Sequence, residues 1–432
     1  MTTRRCTFSL LARGTFTLGT LSWLALSPNP AFAQYSLSYL GSFDSTTGAY
    51  PQSGVTFDSS GNLFGTTGGT GSGANGNGTL YEIPVGSSTL THLASFTGAN
   101  GSFPRSGLTL GSSGDFYGTT VSGGTGGYGT VYKFSPTTGL ISTLASFSSS
   151  NGNSPESGVS FDTLGNLYGT TVGGGLGSKG TVYKIAVGTT TITTLASFSG
   201  ANGDAPTGFT LDSDGNLFGT TVFGGAYGGA FGFGTVYEID KSTGSLTTLA
   251  SFNGAGDGRN PNGLTLDADG NLYGTTSNTV FKIAKNTNII QTIAAFDGAN
   301  GSSPLSGVTF DSAGNLYGTT SEGGSSSTPQ FSGTVYKIAK GSSTITDIAS
   351  FDGTYGYGPV GGITLDSQGN LYGTTQNGGG QAAGTVFKLT PNGSASAAPE
   401  PAQAATFGLI LVGLAGVFVR ARRRAGTVTK AV

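Results

Sequence analysis

Apolar and polar positions alternate in short runs along most of this chain, and residues 307–351 show the unit most clearly. The first run, at 307–311, reads Gly-Val-Thr-Phe-Asp, with the two-residue period of a strand. A turn at 311–315, Asp-Ser-Ala-Gly-Asn, follows. Its Asp side chain accepts bonds from backbone N–H groups two or three residues on, and Gly314 supplies a positive φ without a Cβ clash. The second run, at 315–320, is rich in aromatic and β-branched residues, as strands are. A glycine-rich loop leads to a third run, Thr-Val-Tyr-Lys-Ile at 334–338. A short turn then precedes a fourth run at 344–351. No stretch of the unit sustains a helical apolar spacing.

The turn and second run recur seven times, with the first glycine at Gly61, Gly114, Gly165, Gly215, Gly270, Gly314 and Gly369. The spacings are 53, 51, 50, 55, 44 and 55 residues, which marks a repeat architecture. Four short antiparallel strands per repeat predict an all-β fold, a seven-bladed β-propeller. The ends agree with this. A fourth-run sequence, Leu40-Gly-Ser-Phe43, precedes the first unit, and the last unit stops after Leu389 without one. The N-terminal strand therefore completes the last blade, and a closed ring leaves no spare edge. An open solenoid would show atypical capping repeats, and a parallel β-helix would have shorter rungs.

The Asp-x-x-Gly-Asn-Leu-Tyr pattern resembles blades of NHL-repeat and related propellers. The fuller order, Gly-Leu-Thr-Leu-Asp, Gly-Asn-Leu-Tyr-Gly-Thr-Thr, Gly-Gly and Gly-Thr-Val-Tyr, resembles the GloVer-type tandem repeat of bacterial surface proteins over residues 39–390. That resemblance implies a place at the cell surface. Two units depart from the pattern. Gly114-Asp115-Phe116 replaces Gly-Asn-Leu, and the fifth unit, at 275–280, has lost its glycine-rich loop.

Outside the repeats the ends read as address. Residues 1–33 form a secretory signal, with Arg4, Arg5 and Arg13 before a short apolar core and Ala31-Phe32-Ala33 as the cleavage site. Cys6, the single cysteine, lies within it, so the mature chain offers no disulfide, thiol nucleophile or thiolate metal site. The repeat domain occupies 34–393. A linker at 394–403 carries Pro399-Glu400-Pro401. An apolar segment with an arginine cluster follows at 404–424, closed by Arg420, Arg422, Arg423 and Arg424, and a tail at 425–432 ends the sequence. The arginines predict a cytoplasmic end and repeats outside the membrane. This order resembles the PEP-CTERM sorting signal, which implies an exosortase-type processing enzyme as partner and transient anchoring in the inner membrane. The tail departs from that pattern.

Charge and composition narrow the chemistry. The repeat domain holds 11 Lys and Arg against 20 Asp and Glu, a formal charge of −9, which disfavours nucleic acid. The only histidine, His92, falls in the fourth run where other units have Thr143, Thr194, Thr248, Thr292 or Asp347, so it reads as a surface strand residue. No Ser-His-Asp set or His/Cys metal site can be built, and no cofactor is expected. Asp212 and Asp214, or Asp267 and Asp269, are spaced like the start of a calcium loop but lack its distal Glu, so no metal is expected there. The repeated acids Asp58, Asp162, Asp212, Asp267, Asp311 and Asp366 read as turn residues. Catalysis needs asymmetry, and the chain is expected not to be an enzyme.

Asymmetry lies in the loops. The connections after the second and fourth runs open on one face. The latter carry a proline in every unit: Pro51, Pro104, Pro155, Pro206, Pro261, Pro304 and Pro359. The loop at 222–234 holds Phe223, Tyr227, Phe231 and Phe233, and Tyr128, Phe331, Tyr355 and Tyr357 add to that face. Rings of this kind either pack on their own loop or contact a ligand. The expectation is an exported surface or matrix protein with a structural or binding role. Its binding residues would be Phe223, Tyr227, Phe231, Phe233, Tyr355 and Tyr357, and its partners extracellular polysaccharide or surface proteins. The alternative is a polysaccharide-processing enzyme on the same scaffold.

Overall fold

The computed structural model describes residues 35–69, 76–229, 231–325 and 332–392, all within one unit, Met1–Asn392. The signal, linker, apolar segment and arginine cluster lie outside the described residues, as does Phe331. Among the described residues there is no helix, and hence none long and apolar enough to cross a membrane.

Seven four-stranded antiparallel sheets form the seven blades of a propeller. Blade 6 is representative, with strands Thr309–Phe310, Leu316–Thr320, Thr334–Ile338 and Ile345–Ser350 from the axis outward. Blade 7 takes Thr364–Leu365, Leu371–Thr375 and Thr385–Pro391 from the C-terminal end. Tyr35–Ser42 from the N-terminal end supplies its fourth strand, running antiparallel to Thr385–Pro391. Ring closure by the N-terminal strand is therefore as the repeat pattern predicts.

The innermost strand differs from expectation. It is only two residues long in five blades, but Asp204–Leu211 in blade 4 and Asn262–Leu266 in blade 5 are longer. Those two blades have one residue fewer after the repeated proline: Pro206-Thr207-Gly208 and Pro261-Asn262-Gly263, against Pro51-Gln52-Ser53-Gly54 in blade 1. The extra residue elsewhere pushes the chain out of the ladder. At the axis these strands pack backbone to backbone. A Cβ on Gly208 would overlap Gly263, and one on Gly263 would overlap Gly307.

Two threonine systems tie the blades internally and to each other. The second Thr of each Gly-Thr-Thr meets the first Thr of the third strand, with Oγ atoms 2.7–2.8 Å apart in all seven blades. In six blades the third-strand hydroxyl also donates to a carbonyl in the loop entering that blade, as Thr79 does to Thr47. Near the axis, Thr56, Thr109, Thr265, Thr309 and Thr364 each donate to a carbonyl of the next blade. The last of these crosses the closure to Val55.

The core is a series of layers between blades, and one contact repeats in every layer. A phenylalanine ending the outer strand of one blade meets the third-strand aromatic of the next. The pairs are Phe43–Tyr81, Phe96–Tyr132, Phe147–Tyr183, Phe198–Tyr237, Phe252–Phe281, Phe296–Tyr336 and Phe351–Phe387, with centroids 4.8–5.1 Å apart. Each third-strand ring lies over the glycine of its own Gly-Thr-Thr. At Gly65, Gly118, Gly169, Gly219 and Gly318 a Cβ would overlap the Tyr ring.

The five tyrosine hydroxyls at this position are buried without a hydrogen-bond partner, and burial pushes them far above the ordinary phenol range. Leaving such a group unmatched costs about 1–3 kcal/mol, and Phe281 and Phe387 avoid that cost. Tyr183→Phe is therefore expected to be neutral or to stabilise the fold by up to about 1 kcal/mol in urea unfolding. Phe147→Ala, which empties the other half of the same pair, is expected to cost about 3–5 kcal/mol. A clear loss of stability in Tyr183→Phe would contradict this account of the seam.

Candidate functional site

The two faces of the ring are built differently. One carries the Asp-x-x-Gly-Asn turns. In blade 6, Asp311 accepts from the N–H groups of Ala313 and Asn315, from the Asn315 amide and from the Tyr317 hydroxyl. The backbone donors lie two and four residues on, rather than the two or three expected. Burial pushes the Asp311 carboxyl up, and the Asn315 amide, the backbone donors and Tyr317 outweigh it, holding the carboxyl below its usual range. Blades 3, 5, 6 and 7 add a lysine over the second-strand tyrosine, as Lys337 lies over Tyr317. In blades 1 and 4 the tyrosine is Phe64 or Phe218 and the lysine is Glu82 or Glu238. Both glutamates are pushed up, first by burial and then by neighbouring Asp58, or Asp240 and Asp212. Hollows of about 800 and 650 Å³ lie on this face at the seams of blades 5–6 and 4–5. They are lined mainly by the turn residues that every blade repeats. No group of acids or histidines suited to a metal occurs among the described residues.

The other face carries the long loops and a rim set by strained backbone. The residue before each repeated proline has a positive φ of 52–62°: Tyr50, Phe103, Ser154, Ala205, Asn260, Ser303 and Gly358. That region is costly for any residue with a side chain. In six blades it is held by the rim N–H donating to the preceding blade's second-to-third-strand loop, as Phe103 does to Asn77 and Tyr50 to Ala383. The proline packs on a glycine of that same preceding blade, Pro104 on Gly78 for example. Rim positions are thus fixed by the seams rather than by their own loops.

Inside the rim is an axial hollow of about 600 Å³. Its mouth is uneven. Gln52, Arg105 and Glu156 make one side, with Arg105 and Glu156 paired at 3.1 Å, and Leu305 and Val360 make the other. Leu305 and Val360 also border a groove of about 620 Å³ at the seam of blades 6 and 7. It is lined by Glu322, Tyr357, Gln376 and Asn377 with Ser302 and Ser321. The two hollows adjoin at Leu305 and Val360, which line both. Each is lined by a single carboxylate, Glu156 in one and Glu322 in the other.

The residues expected to bind are divided by this geometry. Tyr357 lines the groove. Tyr355 stands beside it on the chain, with its ring 6.3 Å from Tyr39 of the outer strand. Phe223, Tyr227 and Phe231 are exposed on blade 4, Phe231 to 78 %, and none lines a hollow described above. Phe233 is half-buried against the layer between blades 4 and 5 and lies over Gly254. Blade 4 and the seam of blades 6 and 7 are apart on the ring, so the six residues do not form one cluster. His92 is half-buried and bonded to Ser95 in an outer strand. The sequence reading missed Tyr50, Gln52, Phe103, Arg105, Glu156, Glu322, Gln376 and Asn377. Comparing the residue before each repeated proline across the seven units would have found the first and third.

A family model described as the Gloeobacter/Verrucomicrobia repeat matches residues 110–328 and 277–406, together more than half of the chain. None of the curated proteins matches. Among solved structures, the fold is similar to a streptogramin B lyase, at 17 % identity and TM-score 0.55, covering 84 % of this chain and 99 % of that one. It is similar to a protein from Bacteroides uniformis described as a 6-phosphogluconolactonase, at 14 % identity and TM-score 0.51, covering 76 % and 91 %. It is also similar to the extracellular domain of a one-component system from B. thetaiotaomicron, at 15 % identity and TM-score 0.54, covering 84 % and 43 %. At such identities these likenesses concern the fold. They overturn the expectation that the chain is not an enzyme, because that exclusion rested on the repetitive scaffold and the same scaffold carries a lyase.

The division of the blade 4 rings is directly measurable. Phe233→Ala is expected to lower stability by about 2–4 kcal/mol, while Tyr227→Ala and Phe231→Ala change it by less than about 0.5 kcal/mol. Equal melting temperatures for all three variants would remove the distinction.

Proposed function

This chain belongs to the Gloeobacter/Verrucomicrobia repeat family, and from that premise we propose that it is an exported surface or matrix propeller whose long-loop face binds a neutral glycan. The observation that carries the reading is the groove between blades 6 and 7. Its lining pairs one aromatic ring, Tyr357, with amide and hydroxyl groups of Gln376, Asn377, Ser302 and Ser321 and the single charge of Glu322. A sugar presents apolar ring faces and a belt of hydroxyls, and it is matched by a flat ring beside mixed donors and acceptors. A polyanion would meet Glu322 without a compensating cation among the lining residues. The volume, about 620 Å³, falls in the range of small-ligand sites.

The address rests on sequence. The signal at 1–33 and the Pro399-Glu400-Pro401, apolar and arginine segments support export and sorting by an exosortase-type enzyme, with surface polysaccharide or surface proteins as the neighbours to be bound. The exposed aromatics of blade 4, Phe223, Tyr227 and Phe231, remain a second proposed contact of the same face.

Retention of the full chain on the producer's matrix polysaccharide tests the binding. Asn377→Leu and Tyr357→Ala are each expected to weaken retention about tenfold or more, since a buried polar partner or a stacking ring contributes about 1–2 kcal/mol. Unchanged retention with unchanged melting would refute the groove. For the address, neutral replacements of Arg420, Arg422, Arg423 and Arg424 are expected to disturb membrane retention and display, because those charges fix orientation. Normal display of that variant would refute the sorting reading.

A further inference from the structure

The rim is regular in backbone and irregular in side chain. Seven blades hold the residue before proline at one φ, yet aromatic rings gather on three consecutive blades. Blade 1 places Tyr50 there and blade 2 places Phe103, exposed to 45 % and 43 %. Blade 7 has Gly358 at the position with Tyr357 immediately before it, lining the groove. The other four blades offer Ser154, Ala205, Asn260 and Ser303.

These rings do not depend on loop order for their placement. The Tyr50 N–H donates to Ala383 at 2.8 Å, and the Phe103 N–H donates to Asn77 at 2.8 Å. Pro51 and Pro104 follow them directly and pack on Gly384 and Gly78. A ring on backbone fixed in this way loses less conformational freedom on contacting a ligand than one on a free loop. Toward the axis from the two rings stand Gln52 and the Arg105–Glu156 pair, which supply donors and acceptors. Leu305 and Val360 line both the groove and the axial hollow that holds these same residues. A polar floor with successive rings on blades 7, 1 and 2 thus continues the groove sideways.

We propose that this face takes a stretch of a linear neutral polysaccharide, laid across blades 6, 7, 1 and 2, with Tyr357, Tyr50 and Phe103 as successive stacking platforms. This rests on the glycan reading of the groove and adds the mode of binding. A single sugar reaches the groove alone, and reaching all three rings takes a chain that extends from the groove across blades 1 and 2. One ring stands on each of three consecutive blades, so a ligand with repeated units can meet them in turn. Discrimination among sugars belongs to the groove, and affinity for length belongs to the rim.

The test uses the full chain in titration calorimetry with β-linked glucose oligomers and β-linked N-acetylglucosamine oligomers of two to eight units. Affinity is expected to rise with length, by about a hundredfold in total. Tyr50→Ala and Phe103→Ala should each remove about tenfold for the longest oligomer and leave the shortest unchanged. Alanine is tolerated in this backbone, because Ala205 already occupies it in blade 4. Binding with no dependence on length, or with full length dependence kept in both variants, overturns the chain-binding mode and leaves the groove reading intact. Binding to none of the oligomers, with retention only on a protein component of the matrix, overturns both.

Discussion

Each blade seam is held by one aromatic ring set against another, and the positions of the remaining parts follow from that contact. The outer-strand phenylalanine and the third-strand tyrosine or phenylalanine meet at nearly constant separation in all seven layers, including Phe43–Tyr81 across the closure. Such a pair contributes about 0.5–1.5 kcal/mol beyond the area it buries. Its larger effect is geometric. The third-strand ring needs a glycine beneath it, which explains the invariable Gly in the seven Gly-Thr-Thr segments. The second Thr can then meet the third strand's Thr, and the loop carbonyl that this pair captures fixes where the chain enters that blade. Glycine content that reads as flexibility in an aperiodic chain is here a set of close approaches.

The same seams position the long-loop face. A rim residue at positive φ would be unstable on a free loop, and here it is fastened to the preceding blade by a hydrogen bond and a buried proline. The scaffold therefore spends conformational strain at a ring of positions that varies in chemistry. Binding residues held on such a frame can change from blade to blade without disturbing the seams.

Much of this was legible in the sequence. The blade count and the closing strand followed from the recurrence of Gly-Asn-Leu-Tyr-Gly-Thr-Thr and from Leu40-Gly-Ser-Phe43 standing before the first unit. The short inner strands were not legible, because Gly-Val-Thr-Phe-Asp alternates like a full strand and only the missing residue in blades 4 and 5 shows what ends the ladder. For the site, aromatic density along the chain pointed to residues 222–234. Density cannot tell Phe233, which packs on the blade 4–5 layer, from Phe231, which faces solvent. Tyr50 and Phe103 were passed over because each is a lone ring in its loop. Their meaning comes from equivalence around the ring, where the same backbone position holds Ser, Ala or Asn in other blades. Gln376 and Asn377 were invisible for a similar reason, since a groove between blades joins residues of two repeats.

The most direct test of the account is hydrogen exchange of the full chain with and without saturating matrix polysaccharide. The account expects slowed exchange in peptides covering 48–54, 101–107, 321–324 and 355–362, with the Asp-Gly-Asn turns on the opposite face unchanged. Protection confined to those turns, or to residues 222–234 alone, would contradict it.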